Sequence, residues 1–165
     1  MRFHWLPSAR AGVGRLAAGL VVLGCASGGS GGGPATESLT FAASLTVDLP
    51  SMTRTSSGLH YQDLRLGEGR EASAGDRVQV HYAGWLPDGT LFDAAVPPAE
   101  PVSFTLGRGE VIRGWEEGVL GMRPGGARKL VVPPGLAYGS RGVPGSVPRS
   151  ATLVFQIELV GVGGG

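Results

Sequence analysis

Hydrophobic and polar residues alternate at a period of two in several short stretches after residue 58. The clearest stretch, residues 78–85, has the pattern of a half-buried β-strand. A Pro-Asp-Gly turn motif at 87–89 follows it and predicts that Leu91 and Phe92 return antiparallel as a hairpin. The same kind of pattern predicts further strands at residues 59–66, 102–106, 127–132 and 152–160.

One segment instead repeats its hydrophobic residues every three or four positions. Ile112, Trp115 and Val119 share one helical face, and Glu116 lies on the other. Gly121 is predicted to end this short amphipathic helix. Because the strands do not alternate with helices, a doubly wound parallel sheet is excluded. The predicted fold class is α+β, an antiparallel β-sheet with one short α-helix packed against it.

The first 25 residues have the pattern of a bacterial export signal. Basic residues precede the apolar run 16–23, which Gly24 and Cys25 follow. As a helix this run would span about 12 Å, too short for a hydrocarbon core of about 30 Å. Residues 1–24 are therefore predicted to be a signal peptide of the lipoprotein type, and its removal leaves a mildly acidic chain.

Cys25 is the only cysteine, so it cannot form a disulfide within the chain. Residues 22–25 resemble the bacterial lipobox, which predicts that Cys25 is lipidated. The alternative is an ordinary secretory signal with a leftover thiol. Ala26 is not the aspartate that favours inner-membrane retention in many lipoproteins. We expect an exported protein that is lipid-anchored to the cell envelope, at the periplasmic face of the outer membrane.

Composition divides the rest of the chain. Residues 25–54 are rich in Gly, Ser and Thr and predict a flexible tether, although alternation over residues 41–49 leaves a short strand or a partner-binding segment as a second interpretation. Residues 55–162 are the predicted folded domain, and residues 163–165 a flexible C-terminal tail. The net charge of +1 with no block of like charge gives no indication of nucleic-acid binding.

Motifs for covalent or metal chemistry are missing from the predicted domain. His60 and His81 each lie in a predicted strand, where a solvated histidine is the simplest interpretation. The sequence has no metal-ligand spacing and no nucleophile motif, so we expect no metal and no cofactor. Phe104 is interpreted as ordinary core. Other aromatic and aliphatic residues surround a few polar groups, which favours a non-covalent binding site.

Five motifs resemble the FKBP-type peptidyl-prolyl cis-trans isomerases, in family order and at family spacing over residues 55–162. This resemblance implies an antiparallel sheet wrapped around one short helix. The motifs are VHYAGW at 80–85, GTLFD at 89–93, GEVIRGW at 109–115, AYG at 137–139 and ATLVF at 151–155.

The resemblance also implies a proline pocket. In it Trp115 forms the floor, the Ile112 N–H and the Tyr138 hydroxyl bind ligand carbonyls, and Asp93 lies at the rim. The chain departs from the family pattern at Val102, Val143 and Ser146, all at the pocket rim. The residues implied to catalyse are Tyr82, Phe92, Asp93, Ile112, Trp115, Tyr138 and Phe155, with Val102, Val111 and Val147 as further substrate-binding residues.

A peptidyl-prolyl isomerase needs no nucleophile, because rotation about the X-Pro bond makes and breaks no bond. We therefore expect a folding catalyst for exported proteins, with proline-containing peptides and unfolded exported proteins as partners and macrolide immunosuppressants as candidate ligands. An alternative is a catalytically weak binding module for proline-containing partners or a small ligand. A chaperone has less support, since the loop between Tyr138 and Phe155 leaves no room for an inserted domain. We expect a monomer.

Overall fold

The computed structural model describes residues 39–163, so the predicted signal peptide, Cys25 and the last two residues lie outside the described part. Seven antiparallel strands form one sheet in the order β1-β2-β6-β7-β3-β4, with β5 also paired to β3. The strands are β1 (Thr53–Arg54), β2 (His60–Arg65), β3 (Arg77–Trp85), β4 (Leu91–Ala95), β5 (Val102–Thr105), β6 (Ala127–Val132) and β7 (Leu153–Gly163), and the helix α1 is Arg113–Val119.

The sheet is organised around β3, which pairs with β7 along its whole length. Its other edge is shared, because β5 pairs with the first half of β3 and β4 with the second half. The segment 96–101 therefore interrupts what is otherwise one continuous edge strand. This places β4, which carries two predicted site residues, directly beside the C-terminal half of β3.

The helix lies unusually close to the sheet. Gly114 and Gly118, one turn apart, face β6, and a Cβ built on Gly118 would lie 2.5 Å from Leu130 Cδ1. Gly114 meets Val132 in the same way. A helix face without side chains can approach a sheet this closely, and β6 is buried along its whole length. The predicted fold class, an antiparallel sheet with one short α-helix, is confirmed.

Two details differ from the sequence-based expectation. The helix begins at Arg113, and Ile112 is its N-cap in extended backbone. His60 is only 4% exposed, so the interpretation of a solvated histidine is wrong for this residue. His81 is half-buried, and its Nδ1 lies 3.1 Å from the carbonyl oxygen of Ala95.

Within residues 39–163, no helix has the length and apolarity to cross a membrane.

Residues 39–52 pack on the domain as an N-terminal strap, where the sequence predicted a flexible tether. The strap contains two short 3-10 helices, Ala43–Leu45 and Leu49–Ser51, rather than the alternative strand. Leu45 and Met52 are buried against Val131 and Val154, on the side of the sheet away from the main core. The apolar residues of the strap thus cover a face of β6 and β7 that would otherwise be exposed to water.

Hydrogen bonds also hold the strap. The buried Lys129 side chain donates from Nζ to the carbonyl oxygens of Leu45 and Thr46, at 2.6 and 3.0 Å. Burial lowers the pKa of Lys129. The backbone N–H of Ala42 donates to the carbonyl oxygen of Pro87 in the β3–β4 turn, at 2.8 Å. The strap therefore contacts both the sheet and the hairpin that leads to β4.

Truncating Leu45 tests whether the strap is part of the folded unit. Leu45→Ala removes a side chain that is 6% exposed, so we expect the free energy of unfolding to fall by about 2 kcal/mol. Urea unfolding of the full chain measures it. Thr40→Ala, at an exposed strap position, is the matched control and should change little. Equal stabilities of the two variants would contradict the packing.

Candidate active site

Trp115 lies at the centre of a cluster of aromatic rings. It sits in the first turn of α1, and only 6% of it is exposed. The ring of Tyr82 meets the indole edge-on with centroids 4.7 Å apart, and the ring of Phe155 does so at 5.4 Å. Edge-to-face contacts are a favoured geometry for aromatic pairs. The indole is therefore held on two sides, and its buried Nε1–H has no hydrogen-bond partner among the described residues.

A β-bulge turns two consecutive residues of β4 towards this cluster. The pairing register between β3 and β4 shifts there, and Phe92 is the extra residue. Strict alternation would place Phe92 and Asp93 on opposite faces of the sheet. Instead the ring of Phe92 meets Phe155 edge-on at 5.6 Å, and Asp93 Oδ2 accepts a hydrogen bond from the Tyr82 hydroxyl at 2.6 Å.

Gly84 provides the space for the two phenylalanine rings. A Cβ at this position would lie 2.7 Å from Cε1 of Phe155 and 2.9 Å from Cζ of Phe92. The requirement for glycine here is steric, because both rings rest directly on the backbone of β3. Any larger residue would force the rings apart.

The polar side of the site consists of Tyr82, Asp93 and Tyr138. Burial, together with the hydrogen bond to Asp93 and its charge, raises the pKa of Tyr82 well above its ordinary value. Burial and the charge of Asp93 also raise the pKa of Tyr138, which is partly exposed. Both hydroxyls therefore keep their protons at neutral pH. Tyr82 donates to Asp93, and Tyr138 presents a phenol O–H at the edge of the cluster.

The start of α1 adds a backbone donor. The carbonyl oxygen of Ile112 accepts hydrogen bonds from the N–H groups of Trp115 and Glu116, at 2.9 and 3.2 Å. The N–H of Ile112 itself has no backbone acceptor within residues 39–163. Such N–H groups before the first helical turn can bind a ligand carbonyl. Val111 and Ile112 are both half-buried against the main core.

Tyr138 belongs to the loop that connects β6 to β7, residues 133–152. Val143 and Val147 form an isolated antiparallel bridge, in which each N–H donates to the other's carbonyl oxygen at 2.8 Å. Val147 is buried in the main core, and Val143 packs against it. These contacts give the loop a defined shape with an apolar inner side.

The structure brings the predicted site residues of the domain together. Asp93 joins through its hydrogen bond to Tyr82, and Tyr138 lies close enough to Asp93 for the carboxylate charge to raise its pKa. Their individual roles stay predictions, and Cys25 lies outside the described residues. The others belong to or pack against one core cluster: Tyr82, Phe92, Val102, Val111, Ile112, Trp115, Val147 and Phe155.

Phe104 is a site-facing residue that sequence reasoning assigned to the ordinary core. It is buried, as expected, but its ring lies 5.9 Å from the indole of Trp115. Phe104 and Val102 are two residues apart on β5 and pack against the same core cluster. That spacing was the available signal, because residues two apart on a strand share a face.

Comparison with known proteins places the chain in a family. The family model for FKBP-type peptidyl-prolyl cis-trans isomerases matches residues 68–160. An FK506-binding protein of Neisseria meningitidis serogroup B is 48% identical over 105 residues, which cover 64% of this chain and 96% of that protein. A peptidyl-prolyl cis-trans isomerase of Saccharomyces cerevisiae is 54% identical over 93 residues, covering 56% of this chain and 69% of that one.

Solved structures agree. The crystal structure of AtFKBP13 matches with a TM-score of 0.64 and 36% identity, over 68% of this chain and 99% of that one. FkpA from Escherichia coli matches with a TM-score of 0.62 and 45% identity over 67% of this chain. The match spans about half of FkpA, 51% of its length.

The fold and the comparisons together define the class of protein as a prolyl isomerase built from an antiparallel sheet and one short helix. The chain belongs to the FKBP-type peptidyl-prolyl cis-trans isomerase family. Its activity is the rotation of X-Pro peptide bonds between the cis and trans forms.

Gly84→Ala should damage the site more than the fold. The added Cβ must displace the rings of Phe92 and Phe155, so we expect isomerase activity to fall at least about tenfold, with stability lowered by about 1–3 kcal/mol. Gly161→Ala, on β7, is the matched strand-glycine control, because its Cβ would make only an ordinary contact 3.5 Å from Gln79 Oε1. Full activity in the Gly84 variant would show that the rings are not held by this contact.

Proposed function

We propose that the aromatic cluster around Trp115 is the proline pocket of this isomerase. The observation that carries the proposal is the arrangement of Trp115 between the rings of Tyr82 and Phe155, with the free Ile112 N–H at the start of the same helix. A prolyl ring is small and apolar, and it suits a site lined by aromatic and aliphatic side chains.

The catalysis we propose is differential binding. The X-Pro barrier of about 18–20 kcal/mol arises from amide resonance, which rotation must break. An apolar pocket strips water from the prolyl imide, which favours the twisted amide because it is less polar than the planar one. The Ile112 N–H and the Tyr138 hydroxyl then hydrogen-bond carbonyl groups of the substrate peptide and hold it on either side of the prolyl ring. Interactions that are stronger with the twisted amide than with either planar form lower the barrier.

Asp93 would act through Tyr82 in this scheme. The 2.6 Å hydrogen bond orients the Tyr82 ring, whose edge contact with Trp115 fixes the indole from one side. We assign Asp93 the role of a positioning residue at the rim. FK506-type macrolides are a candidate ligand class for the same pocket, and Val102, Val143 and Ser146 are the departures that would alter their affinity.

The pocket assignment is tested by the rate of cis-to-trans conversion of an X-Pro tetrapeptide. Trp115→Leu should lower kcat/KM at least about tenfold, which corresponds to about 1.4 kcal/mol of lost barrier reduction. Trp85→Leu is the matched control, because Trp85 packs in the cluster under the strap and should retain activity. Phe92→Leu changes a ring of the site that is only half-buried, so the fold should be retained. A loss of activity in this variant then reports on the site.

Equal activity in Trp115→Leu and Trp85→Leu would contradict the pocket. A folded wild-type chain without any acceleration would favour the alternative of a weakly catalytic binding module. The uncatalysed event takes tens to hundreds of seconds, so either outcome is easy to observe.

For the location of the enzyme, we propose an exported monomer that acts on folding proteins in the cell envelope. The N-terminal sequence supports this, since the basic region, the apolar run and Cys25 follow the lipoprotein signal pattern. The anchor would hold the domain at the periplasmic face of the outer membrane. Stable anchoring takes more than one acyl chain, which the modification of a lipoprotein cysteine supplies.

Cys25→Ser tests the anchor. With the modified side chain removed, we expect the protein to leave the membrane fraction and to lose its labelling by a radioactive fatty acid. Fractionation of cells that express the full chain measures the first, and gel autoradiography the second. Membrane association that persists in the variant would point to a retained N-terminal segment and contradict lipidation.

A further inference from the structure

Two exposed arginines, Arg141 and Arg149, lie in the loop beside Tyr138. Neither has a carboxylate partner within residues 39–163, in contrast to Arg65, Arg70, Arg123 and Arg128, each of which pairs with an acidic side chain. Arginine stays charged at any physiological pH. Both therefore present uncompensated positive charge to solvent.

The backbone of the loop brings the two positions onto facing arms. At the base of the loop, the N–H of Ser150 donates to the carbonyl oxygen of Gly139 at 2.8 Å. Nearer the tip, a Cβ built on Gly142 would lie 2.7 Å from the carbonyl oxygen of Pro148. Arg141 and Arg149 lie between these two contact points, one on each arm. Like charges in facing positions repel each other, so this arrangement favours binding of an anion.

No acidic residue in the neighbouring sequence offsets this charge. Residues 118–157 contain no Asp or Glu. Of the other cations in that range, Arg123 pairs with Glu71, Arg128 pairs with Asp63, and Lys129 donates to carbonyl oxygens of the strap. Arg141 and Arg149 are the two whose charge has no such partner among the described residues.

We propose that Arg141 and Arg149 select substrates that carry a carboxylate side chain next to the isomerised proline. The proposal deepens the proposed function and rests on it. The N–H of Gly142, the residue after Arg141, donates to the carbonyl oxygen of Tyr138 at 3.2 Å, so the arm that carries Arg141 is tied to the residue assigned to hold the substrate chain. A glutamate or aspartate within a residue or two of the proline would approach this loop. The arginines act as specificity-determining residues and take no part in the rotation itself.

A negatively charged membrane surface is the other anion that such a pair could meet. The peptide is favoured because the pair adjoins the site through Tyr138. The two sources differ in what they change. A peptide carboxylate alters turnover of acidic substrates, whereas a membrane contact alters binding to anionic vesicles and leaves substrate preference unaffected.

The test compares matched tetrapeptides with Glu or Gln on either side of the proline. NMR exchange spectroscopy measures the cis–trans rate of each peptide in the presence of the full chain. We expect kcat/KM for the better Glu peptide to exceed that for its Gln counterpart about fivefold at 10 mM salt, the size of effect given by exposed ion pairs. The ratio should fall towards one at 0.5 M salt, because screening shortens the range of the interaction to a few ångströms.

The double variant Arg141→Gln, Arg149→Gln should bring the ratio close to one at low salt. Each protein's rate on the Gln peptide is its own reference, so a general loss of activity cancels. Arg77→Gln, at an exposed arginine on the first residue of β3, is the matched control and should keep the ratio.

A wild-type ratio of one, or a ratio that survives in the double variant, would overturn the proposal. Sedimentation with vesicles of anionic phospholipid is measured in parallel. Vesicle binding that is lost in the double variant, together with a peptide ratio of one, would assign the arginines to the membrane and likewise overturn it. Failure to accelerate the Gln peptide in the wild type would instead overturn the proposed function.

Discussion

The contact between α1 and β6 determines where the site can form. Gly114 and Gly118 let the helix backbone lie against the side chains of Val132 and Leu130, closer than any residue with a Cβ would permit. Trp115, next to the first of these glycines, is thereby brought between rings from β3 and β7. A helix held farther from the sheet would leave the indole without its edge contacts. The site therefore depends on the absence of two side chains as much as on the presence of the aromatic ones.

Close packing against a glycine recurs at the β3–β4 hairpin. Gly84 has no side chain, so the rings of Phe92 and Phe155 rest on the backbone of β3, and the bulge in β4 turns Phe92 and Asp93 to one side. The result is an apolar cluster with few polar groups at its edge and no nucleophile. That composition suits a reaction in which no bond is made or broken and in which the enzyme works by desolvation and orientation.

Regular patterns in the sequence were sufficient to predict the sheet, the single helix and the fold class, because strands and helices have distinct hydrophobic periods. Motif resemblance supplied the candidate site. The packing of the strap was missed, because the alternation over residues 41–49 does not show what the segment packs against, and the partners Val131 and Val154 lie far along the chain. The bulge at Phe92 was missed too, since alternation predicts a regular strand.

In the proposed mechanism, the prolyl ring binds at Trp115 while its peptide bond rotates. Isotope-filtered NMR of the full chain with an X-Pro tetrapeptide, under conditions of catalysed exchange, tests this most directly. We expect cis–trans exchange peaks for the peptide together with nuclear Overhauser effects from the prolyl ring protons to the Trp115 indole and the Phe155 ring. Catalysed exchange accompanied by contacts to other side chains, and none to Trp115, would contradict it.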